Sequence, residues 1–448
     1  VPNGSSWAEA FSSHPPDGTP TPTAPGARYL GEATANASGS QVPVGLALSF
    51  FDQAGQSIGT AFGQIATVSP GAWASLPAVA GVAPTTAVSM ALAVIDYRPG
   101  SGQAVYVERP SLSALAAPSP VVVGPLHTAG NTIVQADGRP LSLRGVVLAG
   151  LERDPSSPAV THDAVVQARQ WGANFVRVPL GEQFWLPSNC DFVASYRSTV
   201  DQVVQWITSL GMVALLDLHT NTVGGCTTGK QHDMADAAQA PAFWSQVAGR
   251  YGNPSSPLYS PLVALDLYNE PHDISDAVWL NGGTVKDAYF PFTTYQAAGM
   301  QDLYDAVRAA GAPGLVFASG RNWANTPPGV LVNGNNVVYA VHYYTCQNPG
   351  ASNCSSPGEY DPSPVLQQWV GLGSLEPVVV TEFGWPSTTD GTYVENVISY
   401  AEKHGWGWSA FVWQQANSGW ALAMWVPDGT AEPNPSGVPV LVHLAGGT

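Results

Sequence analysis

"LVALDLYNEPHD", residues 262–273, decides how the rest of the chain is read. From Leu262 to Tyr268 the residues are almost all apolar, the pattern of a strand buried on both faces. No turn intervenes before Asn269, Glu270 and Pro271. A carboxylate at the end of such a strand is costly unless something pairs with it or uses it. This strand therefore delivers an amide and a carboxylate to a place where they act.

On either side, similar runs alternate with helical patterns. Strands are expected at 143–149, 174–179, 212–218, 262–269, 314–319, 337–343, 377–382 and 408–413. Between most of them lie segments such as "HDAVVQARQWG", "YRSTVDQVVQWITSLG", "TTYQAAGMQDLYDAVRAAG" and "TYVENVISYAEKHG", with apolar residues three and four apart and Gly at the end. Eight such repeats imply an α/β chain closed into a (β/α)8 TIM barrel. An open doubly wound sheet would want a Gly-rich phosphate turn after its first strand, and "RGVVLAGLER" has none.

The first 118 residues have a different texture. Short β-like runs ("ARYLGEATA", "VGLALSFFD", "AVSMALAVIDY", "AVYVERPSL") recur between Gly/Pro/Ser/Thr turns, as in an all-β sandwich. Residues 119–127 form a stiff Pro-rich linker, and 128–448 carry the barrel. "NTIVQADGRPLSLRGVV" enters the barrel through a hairpin turning at Asp137-Gly138.

With 15 Lys plus Arg against 32 Asp plus Glu, the net charge of −17 opposes nucleic acid and anionic membranes as partners. No apolar run reaches the ~20 residues of a membrane span. "VPNGSSWAEAF" begins without Met, as a mature or trimmed chain does. The four cysteines are expected to form two disulfides, Cys346 with Cys354 as a local loop and Cys190 with Cys226. Few lysines, low charge and disulfides point to secretion. No Cys-x-x-Cys spacing suggests zinc, and neither a metal nor another cofactor is expected.

Chemistry in a parallel barrel collects where the strands end. The residues there are Arg177, His219, Asn269, Glu270, His342, Tyr344, Glu382 and Trp413. Two carboxylates across one mouth, without phosphate or cofactor machinery, fit glycosidic bond cleavage. Arg177 beside Glu382 would keep that carboxylate charged as the nucleophile. Glu270, in a setting poorer in cations, is expected to have a raised pKa and to act as acid/base. Asn269 is placed to bind the sugar 2-OH, Tyr344 to donate to Glu382, and Trp413 to offer a flat face to the sugar. A carboxyl separation of about 5–5.5 Å would imply retention of configuration.

These residues, with "RGV", "DLH", "NEP", "HYY" and "TEFG" in order, resemble glycoside hydrolase family 5 over residues 127–420. The resemblance implies a cellulase-like retaining hydrolase, with endo-β-1,4-glucanase as the leading activity on a β-glucan. Exo-acting or disaccharide-releasing β-glycosidase and β-mannanase are the alternatives on this scaffold. Trp385 and Trp323, with Trp185, Trp279 and Trp420, are candidate stacking platforms on the long loops 219–241, 271–293 and 345–362. The N-terminal runs resemble a jelly-roll carbohydrate-binding module, with Trp7, Trp73 and Tyr97 as candidate platforms; only Glu108 stands where such modules bind calcium, so none is expected. The chain is expected to act as a monomer. A glycan-binding protein with a silent barrel, and a metal-dependent hydrolase using His219, His272 and His342, are the competing classes.

Overall fold

The computed structural model describes residues 21–97, 104–116, 120–223, 229–288, 293–344, 361–384, 391–414, 421–425 and 431–445, together with the backbone of 8–12. Eight parallel strands close into a barrel: Arg144–Val147, Phe175–Gly181, Val213–Thr220, Val263–Asp266, Val316–Ser319, Val337–Tyr343, Val378–Phe383 and Gly407–Ala410. Each overlaps one of the eight strands expected from the sequence.

The period of two along each strand sorts the side chains into two layers. Phe175, Val213, Leu215, Ala264, Phe317, Ala340 and Val379 fill the barrel interior. Val146, Val176, Ala214, Leu216, Val316 and Val380 join the shell between strands and helices. Both faces are dry, which is why these strands read as unbroken apolar runs. Continued by one step toward the strand ends, the inward parity reaches Arg177, Asp217, Asp266, Ser319, His342, Thr381 and Ser409, all buried.

Two register slips re-aim side chains at the mouth. Val341 pairs with Val380 but His342 with Glu382, so Thr381 is the extra residue and Glu382 gains an inward position. Likewise Leu180 pairs with Leu218 and Gly181 with Thr220, leaving His219 as the extra residue. Bulges of this kind often sit beside functional sites, where they redirect a side chain.

The remaining elements depart from expectation at one helix. Thr294–Ala297 is a strand paired with Gly283–Lys286, and the helix starts only at Met300. Gly299 caps it, its N–H donating to Asp302 at 2.9 Å. The 119–127 linker is docked where it is described, with Val122 and Leu126 buried in the interior cluster. The hairpin turn at Asp137-Gly138 forms, with Gly138 at φ 82°.

N-terminal to the barrel stand two antiparallel sheets, one of six strands and one of four. Val44, Leu46, Phe50 and Leu92 are in their shared core. They are fastened to the barrel by Arg28, which is 1% exposed and donates to the Trp171 and Ala116 carbonyls. Ala80 and Val82 pack into the barrel's outer shell. Among the described residues, no helix is long and apolar enough to cross a membrane.

Candidate active site

Arg177 organises the floor of the mouth. Its guanidinium is fully buried and donates to Asp266 Oδ2 at 3.1 Å, Glu382 Oε2 at 2.8 Å and Asn269 Oδ1 at 2.7 Å. Asp217 Oδ2 lies 3.1 Å away. Burial works against this charge, but Asp217, Asp266 and Glu382 together raise its pKa. One arginine cannot neutralise three buried acids. Burial, reinforced by the Asp217 charge, pushes Asp266 up to about 8 against the pull of Arg177. His219 supplies a second cation: its Nδ1 lies 2.8 Å from Asp217, which overcomes burial and raises it to about 9.

The two glutamates are held differently. Glu382 accepts from Arg177 through Oε2 and from the Tyr344 hydroxyl through Oε1 at 2.7 Å. Glu270 meets His342 Nδ1 at 2.8 Å through Oε1 and accepts from Gln231 Nε2 at 2.5 Å through Oε2. One oxygen of Glu270, one of Glu382 and a ring nitrogen of His342 lie within 4.8 Å of one another. The cation-poor setting expected for Glu270 is not what surrounds it. Burial pushes its pKa up, but the hydrogen bond and charge of His342, with Gln231, outweigh burial and lower it.

Asn269 has a fixed orientation, because its oxygen accepts from Arg177. The amide nitrogen therefore faces the other way, and this buried Nδ2 has no hydrogen-bond partner among the described residues. A donor left so is costly unless a ligand completes it.

Trp413 does not offer a face to the mouth. It is 1% exposed, its indole donates to the Ala164 carbonyl at 2.8 Å, and its ring meets Trp171 edge-on at 4.7 Å. The strand ends at Ala410 and regular alternation with it. Trp408 and Ala410 point to the helical shell, and Trp413, which strict alternation would turn inward, packs back into that shell beyond the strand end. Phe411 instead packs with Val147, Ala149 and Val412, and its half-buried ring lies 6.4 Å from that of Tyr344. Phe411, Gln231, Asp217 and Asp266 were not singled out from the sequence. Alternation along the strands could have found all but Gln231, which sits in a loop with no periodic signal.

The other tryptophans divide. Trp185 and Trp279 are core residues, Trp185 packed on Tyr196, Phe243 and Tyr251, and Trp279 donating to the Ser319 carbonyl. Trp323 is half-buried, its ring 3.7 Å from that of His272. It stands in a turn whose residues Asn322, Trp323 and Ala324 have φ of 54°, 62° and 55°. Such left-handed residues cost about 1–3 kcal/mol each where the fold imposes them. Here Trp323 N–H to the Pro271 carbonyl and His342 N–H to the Ala324 carbonyl lock the turn onto strands four and six. Trp7, Trp385 and Trp420 lie outside the described residues. Cys190 is disulfide-bonded, and Cys226, Cys346 and Cys354 lie outside the described residues. The three histidines of the metal reading do not converge: His342 groups with the glutamates, His272 with Asp233 and Asp273, and His219 with Asp217.

Residues 134–417 match the family model described as cellulase, glycosyl hydrolase family 5. An endoglucanase of Paenibacillus polymyxa is 26% identical over 314 residues, covering 59% of this chain and 72% of that protein. A mannan endo-1,4-β-mannosidase of Salipaludibacillus agaradhaerens is 22% identical over 302 residues, covering 65% and 82%. A β-glucanase of Saccharophagus degradans, solved with cellotetraose, shares the fold with a TM-score of 0.53 at 18% identity, over 73% of this chain and 94% of that one. With the family model spanning more than half its length, this chain is an O-glycosyl hydrolase that belongs to the cellulase family, glycosyl hydrolase family 5.

Proposed function

We propose that the chain is a retaining endo-β-1,4-glucanase in which Glu382 is the nucleophile and Glu270 the acid/base. The observation that carries this reading is the approach of the two carboxylates to within 4.8 Å. That is the short spacing of a double displacement; a single displacement needs about 6.5–9.5 Å to admit a water between them.

Glu382 attacks the anomeric carbon while Glu270 gives its proton to the departing glycosidic oxygen, leaving a glycosyl ester on Glu382. Water then attacks the same carbon, Glu270 takes its proton, and Glu382 is released. Tyr344 and Arg177 hold both Glu382 oxygens, which fixes the attacking geometry. The proton for the leaving group is shared across the Glu270–His342 hydrogen bond. A bound glucan excludes water, and the neutral form of that pair then becomes the less costly one. Asn269 Nδ2 donates to the sugar 2-OH, Phe411 lines the sugar site, and Trp323 serves an outer subsite. We read the chain as a secreted monomer, consistent with its acidity and the bonded Cys190.

The test is a panel of carboxymethylcellulose, mannan, xyloglucan, mixed-linkage glucan and aryl β-glycosides, with products sized over time. Fast loss of viscosity on carboxymethylcellulose is expected. The mannosidase relative makes β-mannanase the second reading, and preference for mannan would establish it; steady release of one small sugar would instead mean exo action.

A further inference from the structure

The outer face of the four-stranded sheet carries an arrangement that the barrel chemistry leaves unused. Tyr106 stands directly opposite Asn36 across the sheet. On the other side of the same strand, the pairs Thr34–Ser75 and Ala35–Ala74 continue to bring Trp73 beside Asn36. Ala33, Ala35 and Ala37 face the sandwich core, so by alternation Asn36 and its two aromatic neighbours face outward. Trp73 is 49% and Tyr106 54% exposed, generous areas for rings that ordinarily bury most of their surface. Strands about 4.8 Å apart put the two rings on the order of 10 Å from each other, about two sugar units along an extended glycan. Between them Asn36 accepts from the Gly71 N–H at 3.1 Å. Its oxygen is thereby engaged, and the amide N–H groups are the polar function a ligand meets.

The same face continues toward the barrel. Along the central strand the outward positions after Asn36 are Thr34 and Glu32, and Glu32 reaches a groove also lined by Ser75, Thr392, Glu395 and Pro439. Thr392 opens the helix that follows the strand bearing Glu382, and a helix following a barrel strand starts at the catalytic end. The charges along this route are Glu32, Glu395, which pairs with His443 at 3.1 Å, and Glu108, which pairs with Arg109 at 3.8 Å. The net charge left on the route is that of Glu32, which disfavours acidic polymers, and the hydroxyl and amide groups between the rings suit a ligand with both apolar and polar edges. A pyranose chain, with C–H faces and hydroxyl rims, is such a ligand.

We propose that Trp73, Asn36 and Tyr106 form a second glycan-binding platform that holds a neutral β-linked glucan chain outside the barrel mouth. The choice of glucan rests on the glucanase reading above; the platform itself does not.

The experiment uses the full chain with Glu270→Gln to stop turnover, and measures retention on microcrystalline cellulose and on hydroxyethylcellulose gels. Trp73→Ala and Tyr106→Ala should each weaken retention roughly tenfold, and the Trp73→Tyr variant should recover most of the loss. In the Glu270-intact chain, the paired Ala variant should cleave an aryl cellobioside at the unchanged rate while losing activity on the insoluble polymer. Unaltered retention in the paired variant overturns the platform. So does conversion of a dimer to a monomer with retention intact, which would make the face a contact between copies. If the parent chain cleaves no glucan, the glucanase reading fails by itself; the platform then stands or falls on whether the same variants lose retention on mannan or xyloglucan.

Discussion

Arg177 Nη1 lies 2.8 Å from Glu382 Oε2, both groups buried, and the same guanidinium touches Asp266 and Asn269. A planar fork serves these partners at once, which a point charge on a flexible stem cannot. Arg177→Lys should therefore keep a cation in place yet lose the shared geometry. We expect kcat to fall on the order of a hundredfold, the effect of misplacing a reacting group by about 1 Å. Arg177→Met should cost roughly 3–5 kcal/mol of stability by stranding buried acids. Denaturant unfolding and steady-state kinetics on an aryl cellobioside separate the two effects, and unchanged kcat in the Lys variant would refute the positioning role.

Asn269 gives a prediction with an internal control. Its Nδ2 is buried without a described partner, so a sugar 2-OH would complete it. Asn269→Ala should lower kcat with little change in KM, because the bond strengthens in the transition state. Against a 2-deoxy aryl glycoside the wild type and the variant should be nearly equal. A loss of the same size on both substrates would show that Asn269 only shapes the floor.

How much of this was legible beforehand can be said residue by residue. All eight barrel strands announced themselves because burial on both faces writes apolar runs into the sequence, and Glu270 stood out against such a run. What escaped depended on which way a side chain points. Alternation from Ser409 gives the inward place to Phe411, but the strand stops at Ala410, and Trp413 turns into the shell against that alternation, which no period in the sequence reveals. Glu382 points inward only because Thr381 is bulged, which spacing does not reveal. The lowered pKa of Glu270 depends on Gln231 and His342 meeting it in space, and 39 and 72 residues of chain separate them from it.

Asp266 offers a test by pH. Burial, with the Asp217 charge, raises it to about 8 against Arg177. With its pKa raised in this way, Asp266 is expected to be neutral at acidic pH and to ionise as pH rises, beside Glu382's only arginine contact among the described residues. Asp266→Asn copies the neutral acid. Near pH 6 its kcat should stay within a few-fold of the wild type, and the alkaline limb of its pH profile should move upward. An unmoved alkaline limb would remove Asp266 from the account.

Stability should carry its own pH signature. Asp217 raises His219 to about 9 against burial, and Glu395 and Glu402 raise His443 to about 9 in the same way. An unfolded histidine titrates near 6.5. Both groups then bind protons more tightly when folded, so their contribution is complete below about pH 6.5 and disappears as pH rises through about 9. Tm should fall across that window. His443→Gln should flatten part of the slope without touching kcat, since the residue sits against Glu395, Glu402 and Arg144, away from the mouth. A Tm equally steep in that variant would assign the slope elsewhere.

Trp413 and Phe411 separate folding from binding within one strand end. Trp413 fills the shell beside Trp171 and closes a hydrogen bond to Ala164. Its replacement by Ala should cost about 3–5 kcal/mol while KM of the folded fraction stays the same. Phe411 contributes less to the core because it is half-buried, and it faces Tyr344. Phe411→Ala should leave the protein folded with a smaller loss of Tm and raise KM for aryl cellobioside, while Phe411→Trp should keep binding if the mouth admits the larger ring. Should Trp413→Ala raise KM and Phe411→Ala leave it unchanged, the assignment of the sugar-facing ring would be reversed. Measuring KM beside Tm in both variants decides this, because a purely structural residue moves only the second.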